Sequence, residues 1–283
     1  KKWYGNRESV INLQKNGYDI RNSGKNFRLR TPDFYHELGL TWSRISSNKI
    51  AFRLKEVDTN FGENSPCLFV DNKQHLYYLS LLNSKVVFHV LKFINPTLTF
   101  QVIDVAKIPI INNEEGDILK LTKEALDISR NDWNSRETSW DFEQSPLLNK
   151  TNALEQAVQT WQEQVTQDFF QLHTNEEELN RIFIDIYGLQ EELTPEVTLK
   201  DITILQEELN KNDLVALEGD FRAKGAGAIE LPIDKGEVIS QFVSYAIGLF
   251  MGRYRLDKPG LNIAHPNPNA EELESYSYNE SKV

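Results

Sequence analysis

The sequence predicts an α+β protein, with a mixed α/β unit over residues 1–112 followed by a mainly α-helical unit. Three observations lead there. Before residue 112 the runs TWSRI, KIAFRL, PCLFV and TLTFQV read as short strands between loops such as 21–25 and 60–66. After it, apolar residues recur at helical spacing. The chain also holds 283 residues, 40% apolar and 26% charged, which is long for one core and has the composition of a globular protein.

The first unit is most legible after residue 70. Leu76, Leu79, Leu82, Val86, Val90 and Phe93 recur every three or four positions, and Asp71 with Gln74 resembles a capping start, so one buried helix is predicted. Lys85, His89 and Lys92 would form its exposed basic stripe, since these spacings share a helix face. Asn95 and Pro96 break it. Leu98, Phe100 and Val102 then alternate with Thr97, Thr99 and Gln101 as a half-buried strand does.

Residues 113–150, which include NDWNSRETSWDFEQSPLL, read as an extended linker that Trp133, Trp140 and Phe142 anchor through their large buried area. A helical domain is expected over 151–264. Leu154, Ala157, Val158, Trp161, Val165, Phe169 and Leu172 stripe a helix that Asn152 and Glu155 would cap. Leu179, Ile182, Phe183 and Ile186 stripe a shorter one, ended by Gly188 and Pro195. Val238, Ile239, Phe242, Val243, Ala246, Leu249 and Phe250 line another. The polar tail 265–283 is expected to be disordered.

Charge is divided as unevenly as structure. Residues 1–113 hold 16 Lys and Arg against 9 Asp and Glu, a formal +7, while residues 114–283 hold 15 against 33, a formal −18. The first 55 residues alone carry 12 basic and 4 acidic side chains. Aromatics are interleaved there, from Trp3 and Tyr4 to Trp42 and Phe52. That mixture suits a surface that tracks phosphates and supports bases, and equally a basic surface over an ordinary core. The whole-chain pI near 5.1 averages this local pattern away.

Several chemistries find no support in the sequence. An amino-methyltransferase needs an Asn-Pro-Pro-aromatic loop for the target nitrogen and a Gly-rich strand-to-helix turn for S-adenosylmethionine. Here Asn95-Pro96 continues as Thr97, and Gly225-Ala226-Gly227 follows no strand pattern, so both read as loops. His36-Glu37 begins a zincin-like string, but Leu40 stands where the second His belongs. Asp33 with Glu37 hints at a metal-dependent nuclease, yet Gly39 replaces the required Lys. His75, His173 and His265 are isolated, and the acidic runs 176–178 and 207–208 read as helix starts or solvated faces. The single Cys67 excludes an internal disulfide and reads as a core thiol. Charges at Lys85 and Lys92 interrupt the longest apolar stretch, so no membrane span is expected. No secretory leader is read, and the start at KKWYGN, without Met, leads to the expectation of a cut-out or processed chain.

Four segments in order, LLNSKVVFHVLKFINPTLTFQVIDVAKIPI (81–110), DWNSRETSWDFEQSPLL (132–148), NEEELNRIFIDIYGLQEELTPEV (175–197) and FVSYAIGLFMGRYRLDKPGL (242–261), carry a resemblance. They resemble the target-recognition region, and the helical region after it, of PglX-type adenine-specific DNA methyltransferases from BREX phage-defence systems. The resemblance implies an intact enzyme that transfers a methyl group from S-adenosylmethionine to adenine in double-stranded DNA. It also implies a catalytic domain N-terminal to Lys1, so this chain alone would hold no cofactor, be inactive and choose the site. A cytoplasmic location and other phage-defence proteins as partners follow from the same resemblance.

For DNA contact the expected residues are Arg28, Arg30, Arg44, Lys49 and Arg53 in the basic segment, with Lys85 and Lys92 on phosphates. Ser46, Ser47 and Asn48 form a short polar loop able to reach base edges. The resemblance fixes no base reader, because recognition regions vary with the site they read. Two rivals stand beside this reading: a protein-interaction module using the acidic half, and a cryptic nuclease on Asp33 and Glu37.

Overall fold

The structure is a computed structural model that describes residues 1–24, 31–46, 49–71, 74–113, 116–148, 153–263 and 265–273. The fold is α+β, as the sequence predicts, and divides into two compact units. The first comprises Lys1–Ser129 and Thr174–Val197, the second Arg130–His173 and Thr198–Val283.

In the first unit, helix α1 (Gln14–Arg21) precedes a small antiparallel sheet of β1 (Gly39–Trp42), β2 (Phe52–Lys55) and β3 (Cys67–Leu68), in the order β2-β1-β3. Trp42 stands opposite Phe52 and Gly39 opposite Lys55. All four residues of β2 are buried, so both faces of this strand are covered, and the polar alternates Arg53 and Lys55 lie inside instead of facing water. Trp3 pairs alongside, donating its backbone N–H to Phe52 O and accepting from Leu54 N.

Helix α2 (His75–Asn83) packs on β1 and β2 through a buried set that includes Tyr77, Leu79, Leu81 and Leu82. The single helix expected here is two, because Ser84 takes an extended conformation and caps α3 (Lys85–Ile94), its side chain accepting from Val87 N. Apolar periodicity continues across such a break, while the Asn-Ser step that makes it is a capping signal. Asn83 seals the sheet edge, accepting from Phe52 N at 2.9 Å and donating to Phe52 O at 3.0 Å. The strand expected around Phe100 shrinks to a bridge between Ile45 and Thr99, since the chain turns at once into α4 (Val102–Val105). Asp104 accepts from Gln101 N at 2.9 Å and begins that turn.

The expected extended linker is corrected in its first half, where α5 (Gly116–Asn134) is helical with Ile118, Ala125, Leu126 and Trp133 buried. Residues 135–148 run as turns and irregular chain, with Phe142 buried and Trp140 exposed, so Trp133 and Phe142 anchor the segment and Trp140 does not. Helix α6 (Leu154–Tyr187) runs without interruption through the two helices expected there. Gly188, with φ of +65°, ends it as expected; the proposed Asn152 cap lies outside the described residues.

The second unit adds α7 (Lys211–Ala216), α8 (Glu218–Lys224) and α9 (Lys235–Phe250). Leu147, Ala157 and Val238 form one apolar cluster, and Phe142, Tyr245 and Tyr254 another. Residues 265–273 form turns in which Glu272 pairs with His265 at 3.0 Å; residues 274–283 of the expected disordered tail lie outside the described residues.

Gly248 is required by packing. A Cβ there would stand 2.7 Å from the Tyr254 ring, inside a close-packed cluster with no room to give. Gly248→Ala would gain up to about 1 kcal/mol of helix propensity but lose about 1–3 kcal/mol to overpacking, so a net loss is expected. Denaturant unfolding measures it, and a more stable variant would refute the packing argument.

Candidate nucleic-acid interface

Two cations from distant segments meet on one aromatic ring. Lys92, exposed on α3, lies 4.5 Å from the centroid of Phe88, and Lys49, from the loop between β1 and β2, lies 5.8 Å from the same centroid. Each ammonium faces the negative π cloud, which attracts both cations to the same ring. Ser46 holds the loop in place: its hydroxyl donates to Lys49 O at 2.8 Å and its backbone N–H to Leu98 O at 3.0 Å. Arg44 stands two residues before it and is tied to Glu63 at 2.9 Å.

The other expected contacts fall elsewhere. Lys85 begins α3 half-buried, its backbone N–H donating to Asn180 Oδ1 at 2.9 Å. His89, on the same helix, faces Glu192 at 3.3 Å, so the basic stripe is partly compensated. Arg53 is 5% exposed, with Nη1 3.4 Å from Lys1 O and Nη2 3.4 Å from Ser43 Oγ. Burial pushes its guanidinium down to about 10, still charged at neutral pH, and a group so enclosed cannot reach a duplex. Arg28, Arg30, Ser47 and Asn48 lie outside the described residues. Phe88 was missed as a platform, although its i, i+4 relation to Lys92 was readable. The arrival of Lys49 on the same ring was not, because it depends on a contact 39 positions away in the sequence.

The two strings weighed against methyltransferase loops have structural roles. The Asn95 side chain accepts from Thr97 N at 2.9 Å and donates to Asp104 Oδ2 at 2.7 Å and Thr99 O at 2.8 Å, closing the turn after α3. Gly225, with φ of +79°, ends α8 and leads into a 3₁₀ turn (Ala226–Ala228). No strand precedes that turn and no long helix opens from it, so these residues do not fit the cradle that S-adenosylmethionine needs. Asp33 lies in a 3₁₀ turn (Pro32–Phe34), and among the described residues no three His, Cys, Asp or Glu side chains gather as a metal site.

The first unit thus carries Lys49, Phe88 and Lys92 together at its surface, and comparison with known proteins gives the class of the chain. No protein-family model matches the sequence. The chain is 33% identical over its whole length to the adenine-specific methyltransferase PglX of Lacticaseibacillus casei (strain Zhang), and 31% identical over 94% of its length to the adenine-specific methyltransferase BrxX of Escherichia coli O9:H4 (strain HS). It is a relative of the PglX and BrxX adenine-specific methyltransferases, as the four segments indicated, and spans 22% and 21% of those two proteins. Among the described residues no helix is long and apolar enough to cross a membrane.

Proposed function

We propose that this chain is the part of a BREX-type adenine-specific DNA methyltransferase that engages the duplex and selects its site. On this reading the intact enzyme takes its methyl group from S-adenosylmethionine and works in the cytoplasm, with double-stranded DNA and other phage-defence proteins as partners. The convergence of Lys49 and Lys92 on Phe88 carries the proposal, because it gathers two cations from separate segments at one spot. Ser46 lies within three residues of Lys49, close enough for a polar side chain to reach a base edge while the ammonium groups hold phosphates. Arg44 and Lys85 belong to the margin of that footprint, and Arg28, Arg30, Ser47 and Asn48 remain part of the proposal by position in the chain.

Phosphate contacts release counterions, so affinity should fall steeply with salt. For isolated binding without sequence preference, a Kd on the order of 10⁻⁴ to 10⁻⁶ M at physiological salt is expected. Lys49→Gln with Lys92→Gln should weaken binding to all duplexes alike and flatten the log–log salt slope by about 0.9 for each lost contact. Lys211→Glu with Lys235→Glu, two exposed lysines of the second unit, should leave the slope unchanged. Equal effects of the two pairs in a fluorescence-anisotropy titration, or no duplex binding at low salt, would instead favour the acidic half as a protein-docking module.

A further inference from the structure

The first unit contains a cavity of about 610 Å³ walled by Phe34, Phe61 and Phe69, with Arg44, Glu63 and Gln101 among its polar lining and Cys67 beside them. The three rings form one aromatic wall. Phe34 and Phe69 have centroids 4.8 Å apart with planes 35° from parallel, and Phe61 meets Phe69 edge-on at 5.4 Å. Phe69 keeps its place because Gly39 has no side chain, where a Cβ would come within 3.1 Å of the ring. Burial pushes the Cys67 thiol up to about 11, so that part of the lining is neutral.

The charges on the cavity select among ligands. Arg44 and Glu63 both line the cavity, while Lys55 Nζ, 6.0 Å from the Phe69 centroid, is taken up by the carbonyls of Tyr35, Glu37 and Glu56, so the paired charges of the lining favour an uncharged guest. Glu63 occupies Arg44 Nη1 at 2.9 Å, while Arg44 Nε is buried with no hydrogen-bond partner among the described residues. A donor left in that state costs free energy until an acceptor meets it. Gln101 brings an amide, which can donate and accept along the edge of a heterocycle. A flat, uncharged aromatic ring that carries acceptors matches the phenylalanine rings, Arg44 Nε and the Gln101 amide.

We propose that this cavity takes one unstacked nucleobase, stacked on the Phe34 and Phe69 rings, with Arg44 donating to it or to its phosphate. The proposal deepens the duplex-binding reading and rests on it for the source of the base, since Arg44 joins the cavity to the loop that carries Ser46 and Lys49. Base–aromatic stacking tolerates any base, so the pocket holds an extruded nucleotide without identifying it.

The test uses the 283-residue chain and two duplexes of one sequence, fully paired or with 2-aminopurine opposite an abasic site, where extrusion costs least. The orphaned duplex should bind about five- to a hundredfold more tightly, with a change in 2-aminopurine fluorescence on binding. Phe34→Ala should abolish that preference and the fluorescence change while leaving paired-duplex affinity as it was. Phe34 is 43% exposed, so its truncation leaves the core intact, and Phe34→Tyr should restore the preference. Equal affinity for the two duplexes, or a preference that survives Phe34→Ala, overturns the pocket while the duplex reading stands. If neither duplex binds, titration with deoxynucleoside monophosphates decides: saturable binding lost in Phe34→Ala sustains the pocket without the duplex reading, and its absence overturns both.

Discussion

Arg136→Ala is expected to destabilise the second unit by about 3–5 kcal/mol. The guanidinium is 7% exposed and meets two buried carboxylates. Its Nε and Nη2 donate to Glu208 at 2.9 and 2.6 Å, its Nη2 also to Asp132 Oδ1 at 3.0 Å, and its Nη1 to the Asp132 carbonyl. Burial alone would lower its pKa, but Asp132 and Glu208 more than offset that and hold it above the ordinary arginine value. Truncation leaves two carboxylates enclosed without their counter-charge, although Asp132 still accepts from Leu205 N at 2.8 Å and Glu208 from Gln241 at 3.0 Å. Arg136→Lys should lose less, because a point charge remains, yet cannot restore the paired geometry. Arg136→Met with Glu208→Met should recover part of the loss, since an apolar replacement removes the cost of burying charge. Denaturant unfolding of the four proteins checks the order. An Arg136→Ala loss below about 1 kcal/mol would mean that water reaches the network.

This network shows where the sequence was readable and where it was not. The α+β class, the strands around Trp42 and Phe52, and the helix at 235–250 follow from local periodicity, which the chain carries in each segment by itself. Glu207 and Glu208 looked like one solvated acidic pair, because nothing local distinguishes the 61% exposed side chain of the first from the buried second. Their fates divide through Arg136, more than 70 positions earlier in the chain. Arg53 deceived in the opposite sense: it was expected to contact DNA, and both faces of β2 proved to be covered. At the candidate interface Lys92 was readable from helical spacing, whereas the cavity behind Arg44 assembles rings from residues 34, 61 and 69, which no window of sequence joins. Burial of polar groups is a tertiary fact, and its cost is met by partners that only the fold brings near.

The middle of α6 yields the second large expectation, Glu176→Ala, with a loss of about 3 kcal/mol from the first unit. Asn175, Glu176 and Glu177 resemble the polar start of a new helix, yet α6 passes through them because the first two are buried and satisfied by tertiary partners. Asn175 donates to Glu124 at 2.9 Å. Glu176, 3% exposed, accepts from the Trp3 indole at 2.7 Å and from Lys2 Nζ at 2.6 Å. Removing the carboxylate strands a fully buried indole N–H and takes a partner from Lys2, whose side-chain exposure is 17%. The loss therefore lies at the lower end of the range for a broken buried pair. Glu176→Gln separates the two contributions, since its amide oxygen can still accept from the indole while the ion pair with Lys2 is lost, and it should cost about half as much. A denaturant titration followed by circular dichroism measures both losses. If Glu176→Gln proved as damaging as Glu176→Ala, the ion pair with Lys2 would account for the stability and the indole bond would contribute nothing.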